Sequence, residues 1–265
     1  MKLKLTPSLL VCAALAASRL CAQPSMMSGG MSGGMPQGVN PFMASFLGKH
    51  AAGSFEAEST FKDPSLPKPM VTSMKMSALN GNIRIEFDLA AMQGGRMPPA
   101  AAARMKMMGM DKMVVLSRPD KKINTLIYPS LQAYTEVPMN DSQLESAAQA
   151  KGGDQHGWDK ANRKTVGHET IDGRNCEKCV VSSTDGQGKI HEMFVWLAPD
   201  LQDFPVQMEF HEGEHSFFMK FKNINPDKPD AKLFEAPTEF TKYNTAQQMM
   251  QTEMMKRASS LRGGQ

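Results

Sequence analysis

Hydrophobic and polar residues alternate along most of the chain after Ser54, in short runs separated by turn residues. Alternation with a period of two places every second side chain on one face of a β-strand, which is typical of antiparallel sheets with one buried face. The pattern predicts about eleven strands. They are expected at 54–61, 71–79, 82–89, 113–118, 123–128, 133–137, 163–171, 175–184, 189–197, 205–211 and 214–222. Since no helix alternates with these strands, a parallel α/β fold is excluded.

The clearest element is a hairpin around Asn80-Gly81. These residues favour a type I′ turn, because both central positions of that turn need a positive φ. With a two-residue loop, the facing pairs are Leu79–Asn82, Ala78–Ile83, Met76–Ile85 and Met74–Phe87. Apart from the pair next to the turn, these side chains share one apolar face.

A second two-residue loop, Glu212-Gly213, is expected between the last two strands. It produces the facing pairs His211–Glu214, Phe210–His215, Met208–Phe217 and Val206–Met219, in which the apolar faces match. The sequence from His211 to His215 resembles a metal chelate, but in this register the two histidines point to opposite faces. We therefore predict no metal site here.

Three segments interrupt the strand pattern and are candidates for helices. The run from residue 100 to 113 follows Pro99 and is rich in alanine, which suits the start and the interior of a helix. Residues 141–151 form the second candidate, with Asn140 or the residue after it as N-cap. The third candidate is the tail at 245–262.

The first 22 residues are typical of a secretory signal peptide. Two lysines precede an apolar stretch at 9–17 that is too short to span a bilayer, and Leu20-Cys21-Ala22 resembles a cleavage site. We therefore expect a periplasmic or secreted protein, cleaved near Ala22 and not transmembrane. A lipid-bearing Cys21 is the alternative, which the bulky residue before it disfavours.

The remaining chain divides into three parts. Residues 23–50 are rich in glycine, serine and methionine and are expected to form a flexible leader. The folded domain covers residues 51–243, and a methionine-rich tail, helical or disordered, covers 244–265. The whole chain has 30 Lys and Arg residues against 27 Asp and Glu residues, and the signal peptide contains the excess of three cations. A neutral mature chain is not expected to bind nucleic acid.

Cys176 and Cys179 are the only cysteines of the expected mature chain. A single pair at this spacing suggests a disulfide, redox chemistry or half of a zinc site. The second pair that zinc needs is missing, and redox chemistry favours a helix N-terminus rather than a strand. Residues three apart in a strand face opposite sides, so a disulfide would need a local bend. A purely structural role and a disulfide formed in an oxidising compartment both stay open.

Methionine is unusually frequent, with 24 residues against 3 tyrosines and 2 tryptophans. Clusters lie at 105–113 and 249–255. Thioether sulfur can ligate Cu(I), and flexible methionine side chains also suit surfaces that bind varied apolar ligands. A compositional bias is the third interpretation, since Met74 and Met208 occupy ordinary strand positions. No cofactor is predicted.

Several short motifs occur in the order found in one protein family. They are Val114–Ile123, Ile127–Pro129, Tyr134–Pro138, Gly167–Gly173, Phe194–Leu201, Phe204–Val206 and Leu233–Pro237. Over residues 53–243 the chain resembles the DUF4412 group, a relative of the LolA/LolB-like lipoprotein carriers of the periplasm. The resemblance implies a mainly β fold, a strongly curved antiparallel half-barrel of eleven strands whose concave face is plugged by helices.

The resemblance also implies an apolar ligand, such as an acyl chain or a lipoprotein, held in the half-barrel. The ligand-binding residues we predict are Met74, Met76, Ile85 and Phe87 on the sheet, with Met107, Met108 and Met110 above them. One alternative is a methionine-rich copper-binding stress protein of the envelope. Another is a structural adaptor with a self-filled core and an envelope protein as partner. No enzymatic activity is predicted, because the sequence contains no recognisable nucleophile or acid–base motif.

Overall fold

A computed structural model of the chain describes residues 52–95, 99–141, 143–144, 163–184 and 190–262, so the predicted signal peptide and leader lie outside it. The described residues form one sheet of twelve strands and two α-helices. The elements are β1 (Ala52–Lys62), β2 (Met70–Leu79), β3 (Asn82–Asp88), α1 (Pro99–Met108), β4 (Lys112–Arg118), β5 (Ile123–Tyr128), β6 (Ala133–Pro138), β7 (Arg163–Ile171), β8 (Arg174–Thr184), β9 (Ile190–Ala198), β10 (Phe204–Glu212), β11 (His215–Asn225), β12 (Thr241–Tyr243) and α2 (Ala246–Arg262).

The sheet is curved and open, with the strand order β12-β6-β5-β4-β3-β2-β1-β11-β10-β9-β8-β7. Neighbouring strands are antiparallel, except that β12 runs parallel to β6. This confirms the predicted mainly β fold, a curved antiparallel half-barrel. The expected number of strands is corrected from eleven to twelve, because β12 has only three residues and is too short to show an alternation.

The predicted turn between β2 and β3 is present. Asn80 and Gly81 have φ of 53° and 81°, as a type I′ turn requires, and all four expected pairs form. Asp172 and Gly173 join β7 to β8 in the same way, with φ of 49° and 79°. These turns set the register of one hairpin in the middle of the sheet and of another at its edge.

The predicted register of the β10–β11 hairpin is wrong. Its loop consists of Gly213 and Glu214, and the facing pairs are Glu212–His215, His211–Ser216, Phe210–Phe217 and Met208–Met219. Gly213, with φ of 60°, takes the first central position, where two-residue hairpin loops need a positive φ. Each residue of β10 faces a partner two positions further along β11 than predicted, so every side chain stays on its predicted face of the sheet. His211 and His215 therefore still point to opposite faces.

Helix α1 ends earlier than the sequence predicts. The N–H groups of Gly109 and Met110 donate to the carbonyls of Lys106 and Met105, at 3.1 and 2.9 Å, which forms a Schellman motif. Gly109 has φ of 71°, a conformation that favours glycine. The chain therefore leaves the helix before β4 begins.

Polar side chains cap the start of α2 and the start of the helical segment that follows Asn140. Thr245 Oγ1 accepts a hydrogen bond from the Gln248 N–H at 3.1 Å at the start of α2, which confirms a helical tail. Asn140 Oδ1 accepts from the Gln143 N–H at 2.9 Å, and Gln143 Oε1 accepts from the Asn140 N–H at 3.1 Å, as in a capping box. Most of the helix predicted at 141–151 lies outside the described residues.

Most buried apolar residues of the strands gather on one face, which we call the core face, while Val114, Leu116 and Ile127 form a smaller cluster on the opposite face. The larger of its two clusters extends from β3 across β2, β1, β11, β10 and β9 to β8. Phe55, Phe204 and Phe221 contact one another there edge to face, with ring centroids 5.3 to 5.6 Å apart. The second cluster lies on β4, β5 and β6, where Met249 of α2 is fully buried.

A segment that follows β11 packs on the opposite, outer face, and Arg118 anchors it. The Arg118 guanidinium donates to the Phe234 carbonyl at 2.6 Å and to Glu235 at 2.8 Å, and it forms a two-bond pair with Asp120. Arg118 is only 7% exposed. Its guanidinium lowers the pKa of the Asp120 carboxyl against the opposing effect of burial. We call residues 231–240 the strap.

Arg118→Ala is expected to release the strap from the outer face. The substitution removes a buried cation and leaves the Phe234 carbonyl without this donor, so we expect unfolding to become easier by about 3 kcal/mol. Chemical denaturation of the wild type and the variant, monitored by circular dichroism, measures this difference.

Lys121→Ala is the matched control. Lys121 also contacts Glu235, at 2.9 Å, but it is half exposed, and exposed ion pairs contribute little. Equal losses in the two variants would contradict the anchoring role of Arg118.

Candidate apolar binding site

The four residues predicted to line a site on the sheet share the core face. Met74 faces Phe87, and Met76 faces Ile85, across β2 and β3. Met76 and Ile85 are buried, whereas Met74 and Phe87 are partly buried and pack against the larger cluster. Phe87 also packs against the second cluster, so these residues lie where the two clusters meet. Their contact with a ligand stays a prediction.

The three methionines predicted above the sheet differ in their surroundings. Met107 is 68% exposed, so it contributes little to any enclosed lining, while Met108 and Met110 are partly buried. Some methionines elsewhere are core residues, and Met208 and Met249 are fully buried. Methionine therefore serves both as a packing residue and as a surface residue in this chain.

A row of large apolar side chains at the margin of the core face was missed by the sequence analysis. It crosses five adjacent strands, from β2 through β1, β11 and β10 to β9, and each residue directly faces the next. Its members, which we call the rim row, are Met70, Phe61, Phe217, Phe210 and Met193. All five are partly buried. The alternation of each strand already shows these apolar residues, but the wrongly predicted register of the β10–β11 hairpin placed Phe210 opposite His215 instead of Phe217.

The residues on either side of the rim row differ sharply in polarity. The next row toward the middle of the strands is buried and consists of Thr72, Ser59, Met219, Met208 and Val195. Beyond the rim row, at the strand ends, His215 Nδ1 lies 3.3 Å from an Asp63 carboxylate oxygen. The rim row thus separates the dry interior of the core face from charged groups in solvent.

Helix α2 covers the other part of the core face and contacts β6 and β12. A polar cluster holds it there, since Tyr243 and Lys256 both donate to Glu253, which is only 8% exposed. Burial alone would raise the pKa of Glu253, but the hydrogen bonds from Lys256 and Tyr243 outweigh burial and hold that pKa below its usual value. The carboxylate is therefore ionised and bonded at neutral pH.

Arg257 joins α2 to the end of α1. Its guanidinium donates to the Met107 carbonyl at 3.1 Å and to the Ser130 carbonyl. A Cβ atom added at Gly109 would lie 2.5 Å from the Arg257 side chain and 2.7 Å from Leu131. Glycine at this position therefore ends α1 and also leaves room for the Arg257 contact.

Cys176 and Cys179 are both buried with free thiols. Cys176 faces Glu169 on β7, and Cys179 faces Val195 on β9. Burial raises the pKa of both thiols, which disfavours the reactive thiolate. The disulfide between them stays a prediction.

The described residues contain no group of three or more His, Cys, Asp or Glu side chains placed to hold a metal ion. Among the same residues, no helix has the length and apolar character needed to cross a membrane.

The family defined as a domain of unknown function, DUF4412, matches residues 70–204, about half of the chain. The chain therefore belongs to this family, as its strand and turn motifs predict. No curated protein matches the chain.

Several solved structures are similar at low identity. LprF from Mycobacterium bovis is 13% identical with a TM-score of 0.39, and the match covers 71% of this chain and 93% of LprF. The Mycobacterium tuberculosis lipoprotein LppX is 12% identical with a TM-score of 0.38, over 71% of this chain and 95% of LppX. A LolA superfamily protein from Nitrosomonas europaea is 10% identical with a TM-score of 0.34, over 74% and 96% of the two chains. At such identities, ligand and partner have to be inferred from this chain's own residues.

Glu253→Gln is expected to weaken the docking of α2 at neutral pH but not in acid. Because the folded pKa of Glu253 is lowered from 4.5, its stabilising effect is present above that value and is lost as the pH falls through the folded pKa. The wild type should therefore exceed the variant in unfolding free energy by about 1 kcal/mol at pH 7, and the difference should vanish near pH 3. Chemical denaturation of the wild type and the variant at pH 7 and at pH 3 measures this difference in unfolding free energy.

Other carboxylates also titrate in acid, so only the difference between wild type and variant is diagnostic. Tyr243, Lys256 and Arg257 are the groups that act on the Glu253 carboxylate. A difference that is the same at both pH values would contradict the role given to the ionised carboxylate.

Proposed function

We propose that this protein binds an apolar ligand, such as an acyl chain or the lipid-modified part of a lipoprotein, on its core face, with the rim row as the entrance. The observation that carries this proposal is the rim row itself. Soluble proteins rarely leave a contiguous line of large apolar side chains partly exposed unless it contacts something. The row lies directly against a buried row in which Met219, Met208 and Val195 are apolar, so a ligand could continue inward from it over β11, β10 and β9.

The dimensions and energetics of the row suit a long apolar chain. Five adjacent strands, spaced about 4.8 Å apart, give the row a length of about 19 Å. Burying each methylene group of a ligand contributes about 0.8 kcal/mol, so a dozen methylenes contribute about 10 kcal/mol before the cost of ordering is subtracted. A ligand without charge on its chain would meet no charged group along the row.

The predicted lining extends the same surface. Met74 lies on β2 inward from Met70, Phe87 faces it on β3, and both are partly buried. We propose that the ligand reaches them. The proposal assigns no reaction and no cofactor to the protein. It places the protein in the periplasm or outside the cell, where the predicted signal peptide would direct it.

Phe217→Glu is expected to abolish most ligand binding, because the substitution places a carboxylate in the middle of the rim row. Titration with a fluorescent fatty acid should give a Kd at least about tenfold higher than that of the wild type. Circular dichroism and denaturation of the same sample establish that the domain is folded.

Phe218→Glu provides the control, since Phe218 is the next residue of β11, is also partly buried, and faces Glu209 and Thr60 on the outer face. This variant should bind the fatty acid like the wild type. Absence of binding by the wild type, or equal loss in both variants, would reject the proposal and favour a self-filled core.

A further inference from the structure

The rim row is an apolar surface that needs a cover when no ligand is bound. Its five side chains are partly buried and lie in one line across β2, β1, β11, β10 and β9. Helix α2 packs on β6 and β12, which lie at the other end of the sheet from β10 and β9. Soluble proteins rarely expose such a line of large apolar side chains to water. A chain segment that is apolar and uncharged would fit it.

The predicted leader contains a segment of this kind. Residues 23–48 include no Asp, Glu, Lys, Arg or His, and they contain five methionines. Four of these lie at 26, 27, 31 and 35, and Ser-Gly-Gly separates each of the last three from the next. These residues lie outside the described part of the chain. Burying such a segment on the row removes no charge from water, and methionine side chains adapt to the shape beside them.

The length of the leader matches the distance to the rim row. The leader joins the sheet at Ala52, and Phe61 is the ninth residue after it on β1. At about 3.3 Å per residue, the row is therefore about 30 Å from this junction. Chains rich in glycine and serine have a root-mean-square end-to-end distance of about 5 to 6 Å times the square root of the residue number. Residues 26–35 precede Ala52 by 26 to 17 residues, which gives about 21 to 31 Å.

The tether selects which part of the leader reaches the row. Its effective concentration at a site is highest when the tether length matches the span. Fully extended, seventeen residues cover about 56 Å, so residues 26–35 also reach the row by a path around the strand ends. Phe46 and Leu47 are apolar too, but they precede Ala52 by only six and five residues and extend at most about 22 Å from it.

We infer that residues 26–35, which we call the methionine segment, dock on the rim row of their own molecule when no ligand is bound. Thioether side chains then lie against the three phenylalanines and two methionines of the row and exclude water from them. A ligand has to displace the segment, so the measured Kd is the intrinsic Kd divided by the fraction of molecules with a free row. The inference rests on the site of the proposed function and adds an internal competitor to it.

The contact can be measured without a ligand, by attaching a nitroxide spin label to a Ser32→Cys variant of the secreted protein. Cys176 and Cys179 are buried, and burial raises the pKa of both thiols. Because the thiolate is the reactive form, the labelling reagent reacts preferentially at position 32.

Methionine methyl groups enriched in 13C report the contact by NMR. The spin label should broaden the signals of Met70 and Met193, at the two ends of the row, and spare Met249 between α2 and the sheet. Reduction of the nitroxide with ascorbate should restore the broadened signals. Phe217→Glu should prevent the broadening, whereas Phe218→Glu, which changes the outer face, should leave it as in the wild type.

Substitution of the methionine segment tests its effect on ligand affinity. If the segment occupies the row in about four of five molecules, its loss should lower the Kd for the fluorescent fatty acid about fivefold. The variant combines Met26→Ser, Met27→Ser, Met31→Ser and Met35→Ser. The control, Phe46→Ser combined with Leu47→Ser, removes apolar residues that do not reach the row and should leave the Kd unchanged.

Four results would overturn the inference. They are absence of broadening at Met70 and Met193, equal broadening at Met249, an unchanged Kd after the four substitutions, and an equal change of Kd in the control variant. Broadening in a mixture of spin-labelled chains with separate methyl-labelled chains would place the segment on a second copy and would also reject an intramolecular contact.

The two measurements separate this inference from the proposed function. Fatty acid binding without the expected broadening would reject the docking of the methionine segment alone. The expected broadening without fatty acid binding would reject the proposed function alone.

Discussion

A single open sheet with one apolar face has to keep that face from water, and the rest of this structure depends on how it does so. On β4, β5 and β6 the cover is α2, with Met249 buried against the strands. On the remaining, wider part of the apolar face, no helix of the described residues is the cover, and the curvature of the sheet brings the side chains of this face into contact with one another. The contacts among Phe55, Phe204 and Phe221 are an example. Such mutual packing weakens toward the strand ends, since a residue in the last row has neighbours on one side only. The rim row is that last row.

Polar contacts help to specify the position of α2, beside the burial of Met249. A buried carboxylate is unfavourable unless it is bonded, so Glu253 has to meet Tyr243 and Lys256, which sets the rotation of the helix on the sheet. Arg257 has to reach the carbonyl at the end of α1, which sets how far the helix extends. Gly109 makes that contact sterically possible. The two helices are thus held in one arrangement, and the same arrangement determines which of their side chains face solvent.

Local patterns in the sequence predict the parts of the fold that local chemistry decides. Asn80-Gly81 and the alternation beside it are sufficient to predict the β2–β3 hairpin, because turn type and side-chain period agree there. For the β10–β11 hairpin, two alternative loops would both bring the apolar faces of the strands together. Only the position that Gly213 takes in the turn distinguishes the two registers. Strand β12 and the anchoring of the strap by Arg118 depend on partners far along the chain, which alternation cannot show. The rim row was missed because the predicted register placed Phe210 opposite His215, and because its five neighbouring strands come from both ends of the sequence.

The composition of the rim row bears on the kind of ligand that we propose for it. Phenylalanine occupies the three central positions, while Met70 and Met193 occupy the two ends. Aromatic rings have few rotamers and give a firm central contact, whereas methionine has three rotatable bonds and adapts to what lies beside it. A row with a rigid centre and flexible ends suits ligands that share an apolar middle but differ in length. Under the proposed function, methionine stands at the ends of the row, where the contact has to be variable, and phenylalanine stands in the centre, where it does not.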